Sequence, residues 1–276
     1  MIRVFFLVCI FPSETYSSNK TLLKADSLYD HGFYEEAAFL YAKHTFQDDS
    51  AKNYALFQQV QCYKQTKNYT SALEKLREIN MRLITQDDSA FYRVKYTEAF
   101  CAFMIEDYKL AEASMKQASF YVTDSSVLAR GYLLMAMIYN NMHHWDKAEQ
   151  YASNFLIVSG MNEKMPSLVQ LYSKKELPNI KNRKLLNLFK FVPGLAQMYC
   201  GYPGEGLFNA GLNLFFFGFG AYQVWQGFYF TGYFTAAISI NKLYFGGRSR
   251  ADYLFAKRNA QEIQEFNQKF RDLLKQ

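Results

Sequence analysis

An aromatic residue followed three positions later by alanine recurs four times in the first part of the chain. The pairs are Tyr34/Ala37, Tyr69/Ala72, Tyr108/Ala111 and Trp145/Ala148, at spacings of 35, 39 and 37 residues. Self-similarity at this period belongs to arrays of helix pairs, because a unit of that length cannot bury its apolar face alone and needs a neighbour to stack on. Nine positions before each aromatic stands Ala25, Val60, Ala99 or Ala136, and six before stands Leu28, Tyr63, Ala102 or Tyr139. These are small-to-medium apolar residues three apart, hence on one helical face. Each unit reads as helix, short turn, helix; residues 24–30, 31–34 and 35–44 are the first example. The prediction is about four such units over residues 20–156, with a linker over 157–184.

Gly32, Tyr34, Ala37 and Tyr41 fall where tetratricopeptide repeats (TPR) carry a turn glycine, an aromatic, an alanine and a second-helix aromatic, so the block resembles that family. Lys67, Glu106 and His143 stand where the later units would have the glycine, and no proline closes a repeat. The resemblance implies a helical solenoid with a concave face lined by the first helix of each pair. That face would be a partner-binding groove of Gln61, Lys64, Gln65, Arg93, Tyr96, Arg130, Asn140 and Asn141, holding a protein or peptide. Leu22 and Asp26 occupy positions where the family's carboxylate clamp uses Lys and Asn, so that clamp is not expected.

Charge divides the chain. Residues 181–276 hold 12 basic and 5 acidic residues, leaving 19 and 20 in residues 1–180, so the net charge of +6 comes from the last third. Within that third, 206–241 are 36 consecutive residues without Asp, Glu, Lys, Arg or His, 12 of them aromatic. At about 1.5 Å per residue such a helix would outrun a hydrocarbon core of about 30 Å, so two passes are expected, turning at Gln226–Gly227. The predicted spans are about 206–225 and 228–245, inside a membrane domain over 185–247. Asn209 and Asn213, four apart, and Asn241 would face each other or a partner helix, since an amide in hydrocarbon is costly unless paired.

Pro193, Gly194, Gln197, Tyr199 and Gly201, followed by Gly206, Asn209, Asn213 and Asn241, resemble the P-G-x-x-Q-x-Y-x-G segment of small two-helix membrane domains in bacterial envelope proteins. Pro193–Gly194 should break a helix begun at Leu185 and let Leu195–Tyr199 start another. The glycines at 201–206 lack the Lys-Ser/Thr ending of a P-loop, which excludes a phosphate cradle of that type.

Arg3, the apolar run Val4–Phe11 and the polar 13–18 have the order of a secretory signal over residues 1–18. The tail 248–276 spaces Ile263, Phe266, Phe270, Leu273 and Leu274 three and four apart, as an amphipathic helix. Cys9, Cys62, Cys101 and Cys200 show no metal-ligand spacing, and His31, His44 and the pair His143–His144 join no catalytic constellation. No enzyme, no metal, no cofactor and no nucleic acid are expected.

The expectation assembled from these features is an all-α chain: a TPR-like solenoid, a transmembrane helical hairpin and an amphipathic C-terminal helix. It would act as a scaffold in the bacterial inner membrane, with the bilayer and a captured protein or peptide as partners and a homo-oligomer through the membrane helices as a further option. The export signal places the repeats in the periplasm, while the basic flanks of the hairpin favour the cytoplasm. The alternative is a membrane-embedded factor for transport or membrane-protein biogenesis, regulated by its repeats.

Overall fold

A computed structural model describes residues 20–47, 51–84, 88–120 and 125–275, and the signal-like segment 1–18 lies outside them. The described residues are helical, with no strand among them. The chain divides into two compact units, one ending at Val169 and the other beginning at Gln170.

The first unit is four helix pairs: α1 (Lys20–Asp30) with α2 (Tyr34–Gln47), α3 (Lys52–Gln65) with α4 (Tyr69–Glu78), α5 (Asp88–Met104) with α6 (Tyr108–Phe120), and α7 (Ser125–Asn141) with α8 (Trp145–Val158). One turn geometry joins all four. Gly32, Lys67, Glu106 and His143 each take a left-handed φ, of 85°, 60°, 65° and 60°. The next residue's N–H then reaches back five positions: Phe33 to the Leu28 carbonyl, Asn68 to Tyr63, Asp107 to Ala102 and His144 to Tyr139, all at 2.8–2.9 Å. This is the Schellman closure, which satisfies carbonyls that a helix end leaves open. Asn68 and Asp107 then cap the following helix, accepting from the Ser71 and Leu110 amides at 3.2 and 3.1 Å.

The seam between helices is made of the periodic small residues. Ala25, Ala37, Val60, Ala72, Ala99, Ala111, Ala136 and Ala148 are each 0% exposed. A methyl or isopropyl group at the crossing lets two backbones approach, and larger neighbours such as Tyr41, Leu56, Met115 and Ile138 fill the space around it. Asp26 on α1 ties two further helices, accepting from Tyr41 of α2 at 2.5 Å and Tyr54 of α3 at 3.1 Å.

A short α9 (Met165–Leu171) crosses the boundary between units. The second unit contains α10 (Arg183–Phe189), α11 (Leu195–Tyr199), α12 (Pro203–Trp225), α13 (Tyr229–Ile238) and α14 (Phe245–Lys275), with a π-helical stretch Ser239–Tyr244 before α14. Its core joins Leu186, Ala196, Cys200, Ala251 and Leu254, with Phe189, Tyr199, Tyr202 and Phe255 packed around them. The predicted amphipathic face of the tail is used here: Phe266 and Phe270 are buried, and Tyr172 meets both edge-on.

The expected break at Pro193–Gly194 and the expected turn at Gln226–Gly227 are both present, the latter with Gly227 at φ 86°. The membrane-spanning hairpin is not. Among the described residues no helix is long and apolar enough to cross a membrane. The expected span over 228–245 is divided between the ten residues of α13 and the π-helical stretch, far short of the roughly 20 that a crossing needs. α12 has 23 residues, but Glu205, Asn209, Asn213, Gln223 and five glycines dilute its apolarity. Absence of charge over 206–241 is therefore not equivalent to hydrocarbon solubility. The two spans, the anchoring in the bacterial inner membrane, the bilayer as partner and oligomerisation through membrane helices are all withdrawn on this finding. Leu207, Leu214, Phe215, Trp225, Phe230 and Tyr233 are exposed on α12 and α13, Trp225 at 81%.

Candidate functional site

Successive first helices of the pairs lie beside one another. Tyr29 of α1 takes a hydrogen bond with Gln65 of α3, Lys64 of α3 sits over the Phe100 ring of α5 at 5.5 Å, and the Tyr92 hydroxyl of α5 donates to the Val127 carbonyl of α7 at 2.9 Å. On α5 the residues Tyr92, Tyr96 and Phe100 follow at intervals of four, which puts them on one face as a stripe about 12 Å long. Tyr92 and Tyr96 stack at 5.8 Å and 20°. Gly131 on α7 makes room for the stripe, since a Cβ there would stand 3.0 Å from the Tyr92 hydroxyl.

A cation stands at each end. Lys64 donates to the Gln61 amide oxygen at 3.0 Å, and among the described residues no carboxylate lies within ion-pair distance of it. Burial pulls its ammonium below the usual lysine range, with the Cys101 thiol acting weakly the other way. At the other end Arg130 opposes the effect of burial on both tyrosines. Burial pushes the Tyr92 hydroxyl up to about 12 and raises Tyr96 as well, so both are neutral hydrogen-bond donors at neutral pH. Cys101, pushed up to about 11 by burial, stays a thiol. A half-buried ammonium with only an amide as partner retains most of its capacity to pair with an incoming anion, and burial strengthens that pairing relative to a surface site.

The eight groove residues named from the sequence divide accordingly. Lys64, Gln61, Tyr96 and Arg130 belong to the stripe and its ends, and Arg93 is exposed on α5. Gln65 is exposed and bonded to Tyr29. Asn140 is fully buried, and Asn141 is engaged, donating to the Met137 carbonyl at 2.7 Å and accepting from Tyr108 at 3.5 Å. Tyr92 and Phe100 were not singled out beforehand; their spacing of four from Tyr96 was the available signal.

In the second unit the motif residues converge on a backbone lock. Gly194, at φ 84°, packs against Gly206, and a Cβ on Gly206 would lie 2.5 Å from the Gly194 carbonyl oxygen. Gln197 donates to the Gly247 carbonyl at 3.0 Å, fifty residues away. Tyr199 accepts from the Asn182 amide at 2.7 Å and packs on Phe189 at 5.0 Å. Asn213 donates to both the carbonyl and the Oδ1 of Asn209 at 2.8 Å, while its own buried Oδ1 has no partner among the described residues. Asn209 in turn fills the space in front of Gly247. Gly201 sits in a left-handed turn at φ 92°, and Asn241 is exposed in the π-helical stretch.

Among the described residues no group of His, Cys, Asp and Glu could hold a metal ion. No family model matches the chain, and no curated protein matches it. The resemblance to tetratricopeptide repeats therefore does not extend to membership. The physical departure is visible at the turns, where Lys67, Glu106 and His143 carry the left-handed conformation that the family gives to glycine. With it falls the reading as a membrane-anchored TPR scaffold of the cell envelope, and its alternative as a membrane-embedded transport or biogenesis factor falls with the spans.

Proposed function

We propose that the helix-pair unit is a non-catalytic binding module whose α5 stripe receives an elongated ligand bearing acidic groups. The observation that carries this reading is Lys64: a half-buried ammonium between the Gln61 amide and the Phe100 ring, with no carboxylate beside it among the described residues. An acidic group of the ligand pairs with Lys64, its body lies on the half-buried Phe100 and Tyr96, with the buried Tyr92 supporting Tyr96 from below, and a second acidic group reaches Arg130 or Arg93. The neutral Tyr96 hydroxyl supplies a donor along the way. The Cys101 thiol beside Lys64 is held protonated by burial, so it acts as part of the apolar surround rather than as a nucleophile.

Poly-L-glutamate serves as the probe, titrated into the full chain and followed by tyrosine fluorescence. Lys64→Gln and Tyr96→Ala should each weaken binding roughly tenfold, about 1.4 kcal/mol. Lys67→Gln, on the exposed turn, should leave it unchanged. Raising salt from about 0.1 M to about 1 M shortens the screening length from about 10 Å to about 3 Å and should weaken the wild type more than Lys64→Gln. Equal affinity in wild type and Lys64→Gln contradicts the proposal.

A further inference from the structure

The outward face of α12 repeats every seven residues. Its inward face is fixed by contacts: Gly206 packs against Gly194, Asn209 against Gly247, and Gly220 against Gly232. Half a turn away, at alternating spacings of four and three, stand Gly204, Phe208, Gly211, Phe215, Gly218 and Tyr222. All six are exposed, the three rings at 69%, 64% and 52%. Strict alternation of four and three is the seam of one helix against another, narrower than the stripe that faces a core. The three glycines have no use within their own chain: a Cβ on any of them would meet nothing within 4 Å, whereas one on the inward Gly220 would touch the Gly232 carbonyl oxygen at 3.4 Å. Glycine inside a helix weakens it relative to alanine, so Gly211 and Gly218 are costly unless something comes close from outside.

We propose that this seam is the interface of an antiparallel homodimer, in which α12 of a second copy lies along α12 with each ring seated over a glycine. The face supplies both halves of the fit. With a two-fold axis at the level of Asn213, Phe208 meets Gly218 of the second copy, Phe215 meets Gly211 and Tyr222 meets Gly204, and the symmetry repeats each contact in reverse. A ring entering a glycine gap is the knob-into-hole fit of two helices at close approach. In a parallel pair ring would meet ring and glycine would meet glycine, which leaves voids. Residues 206–241 carry no charge, so two identical faces come together without like-charge repulsion. Leu207, Leu214 and Trp225 flank the seam at 65%, 77% and 81% exposed. With the three rings they offer roughly 800 Å² per copy, the amount each partner brings to a stable interface of standard size. The contact joins two protein chains and asks no helix to cross a bilayer. It lies in the second unit and does not rest on the α5 stripe.

Light scattering of the full chain, purified without detergent, should give twice the chain mass, with a dissociation constant of about 1 μM or tighter. Gly218→Leu, which fills the gap that Phe208 enters, and Phe215→Ser should each weaken the dimer at least about tenfold. Helicity of Gly218→Leu by circular dichroism should be undiminished, because a Cβ at that position meets nothing in its own chain. Phe46→Ser, which removes an exposed ring from the first unit, should leave the dimer unchanged. Mixing tests the register: Gly211→Asp and Phe215→Lys should each be monomeric alone, and the two chains together should pair, since antiparallel packing sets position 211 of one beside position 215 of the other. A monomeric wild type, whether free or floating with dioleoylphosphatidylcholine vesicles, a dimer indifferent to Gly218→Leu, or no pairing in the mixture overturns the proposal.

Discussion

Two adjacent glycines show how differently a single residue can be used. A Cβ on Gly247 would collide with the Asn209 side chain, whereas a Cβ on Gly246 would meet nothing within 4 Å. Gly246→Ala should therefore be neutral or stabilise by up to about 1 kcal/mol through helix propensity, while Gly247→Ala should destabilise by about 1–3 kcal/mol through overpacking. Gly194→Ala combines a left-handed φ with a collision on the Gly206 carbonyl, and a loss of roughly 2–4 kcal/mol is expected. Urea unfolding of the three variants checks the order, and Gly247→Ala as stable as Gly246→Ala would contradict it. Gly194, Gln197 and Gly206 stood out in the sequence through the resemblance of their segment to the P-G-x-x-Q-x-Y-x-G pattern. Their partners were not, because Gln197 reaches Gly247 across fifty residues and nothing local in either segment names the other.

At the level of the helix pair, the repeated element is a turn conformation carried by unlike residues. Lys67, Glu106 and His143 hold left-handed backbone at a cost that glycine does not bear, about 1–2 kcal/mol each. Lys67→Gly and Glu106→Gly should each stabilise the unit by up to about 1 kcal/mol, seen as a higher midpoint in urea. His143→Gly should gain less, because the imidazole stacks on Trp145 at 5.8 Å and 18° and that contact would be lost. A destabilised Lys67→Gly would show that the turn is not where the strain lies. The helix pairs themselves were readable from sequence, since alanine at a fixed offset from an aromatic marks a close crossing, and all eight periodic small residues are buried at 0% exposure. The hairpin of the second unit misled for an equally physical reason. Charge was counted where mean hydropathy was needed, and the amides and glycines of α12, the shortness of α13 and the π-helical stretch leave no crossing helix among the described residues.

Across the molecule, the first unit carries a set of buried hydroxyls and thiols that make it sensitive to alkali. Burial raises Tyr41 and Tyr139 far above the usual tyrosine range, with the carboxylates Asp26 and Glu112 adding to the effect, and pushes Tyr92 and Cys62 to about 12 and Cys101 to about 11. A folded-state pKa above the unfolded one contributes stability that is complete below the unfolded value, near 8.5 for Cys and about 10 for Tyr, and is lost as pH rises beyond it. Helicity should fall between about pH 9 and 12, with tyrosinate absorbance rising cooperatively in the same interval. A gradual tyrosinate curve centred near 10 with intact helicity would contradict this. Glu112 works in the opposite direction: its hydrogen bond from Lys116, aided by that from Tyr139, holds it below the usual carboxylate range, so its contribution is present at neutral pH and lost as pH falls through that depressed value. Lys64 is the exception within the same core, a cation whose burial opposes its charge, and it is the residue on which the functional reading rests.

The most direct measurement is therefore the Lys64 ammonium pKa, followed by NMR in selectively labelled full-length chain with and without poly-L-glutamate. The account predicts a Lys64 value below the ordinary lysine range in the free protein and a rise once the probe is bound, because a carboxylate then faces the charge. A Lys64 titration that does not move at probe saturation would contradict it.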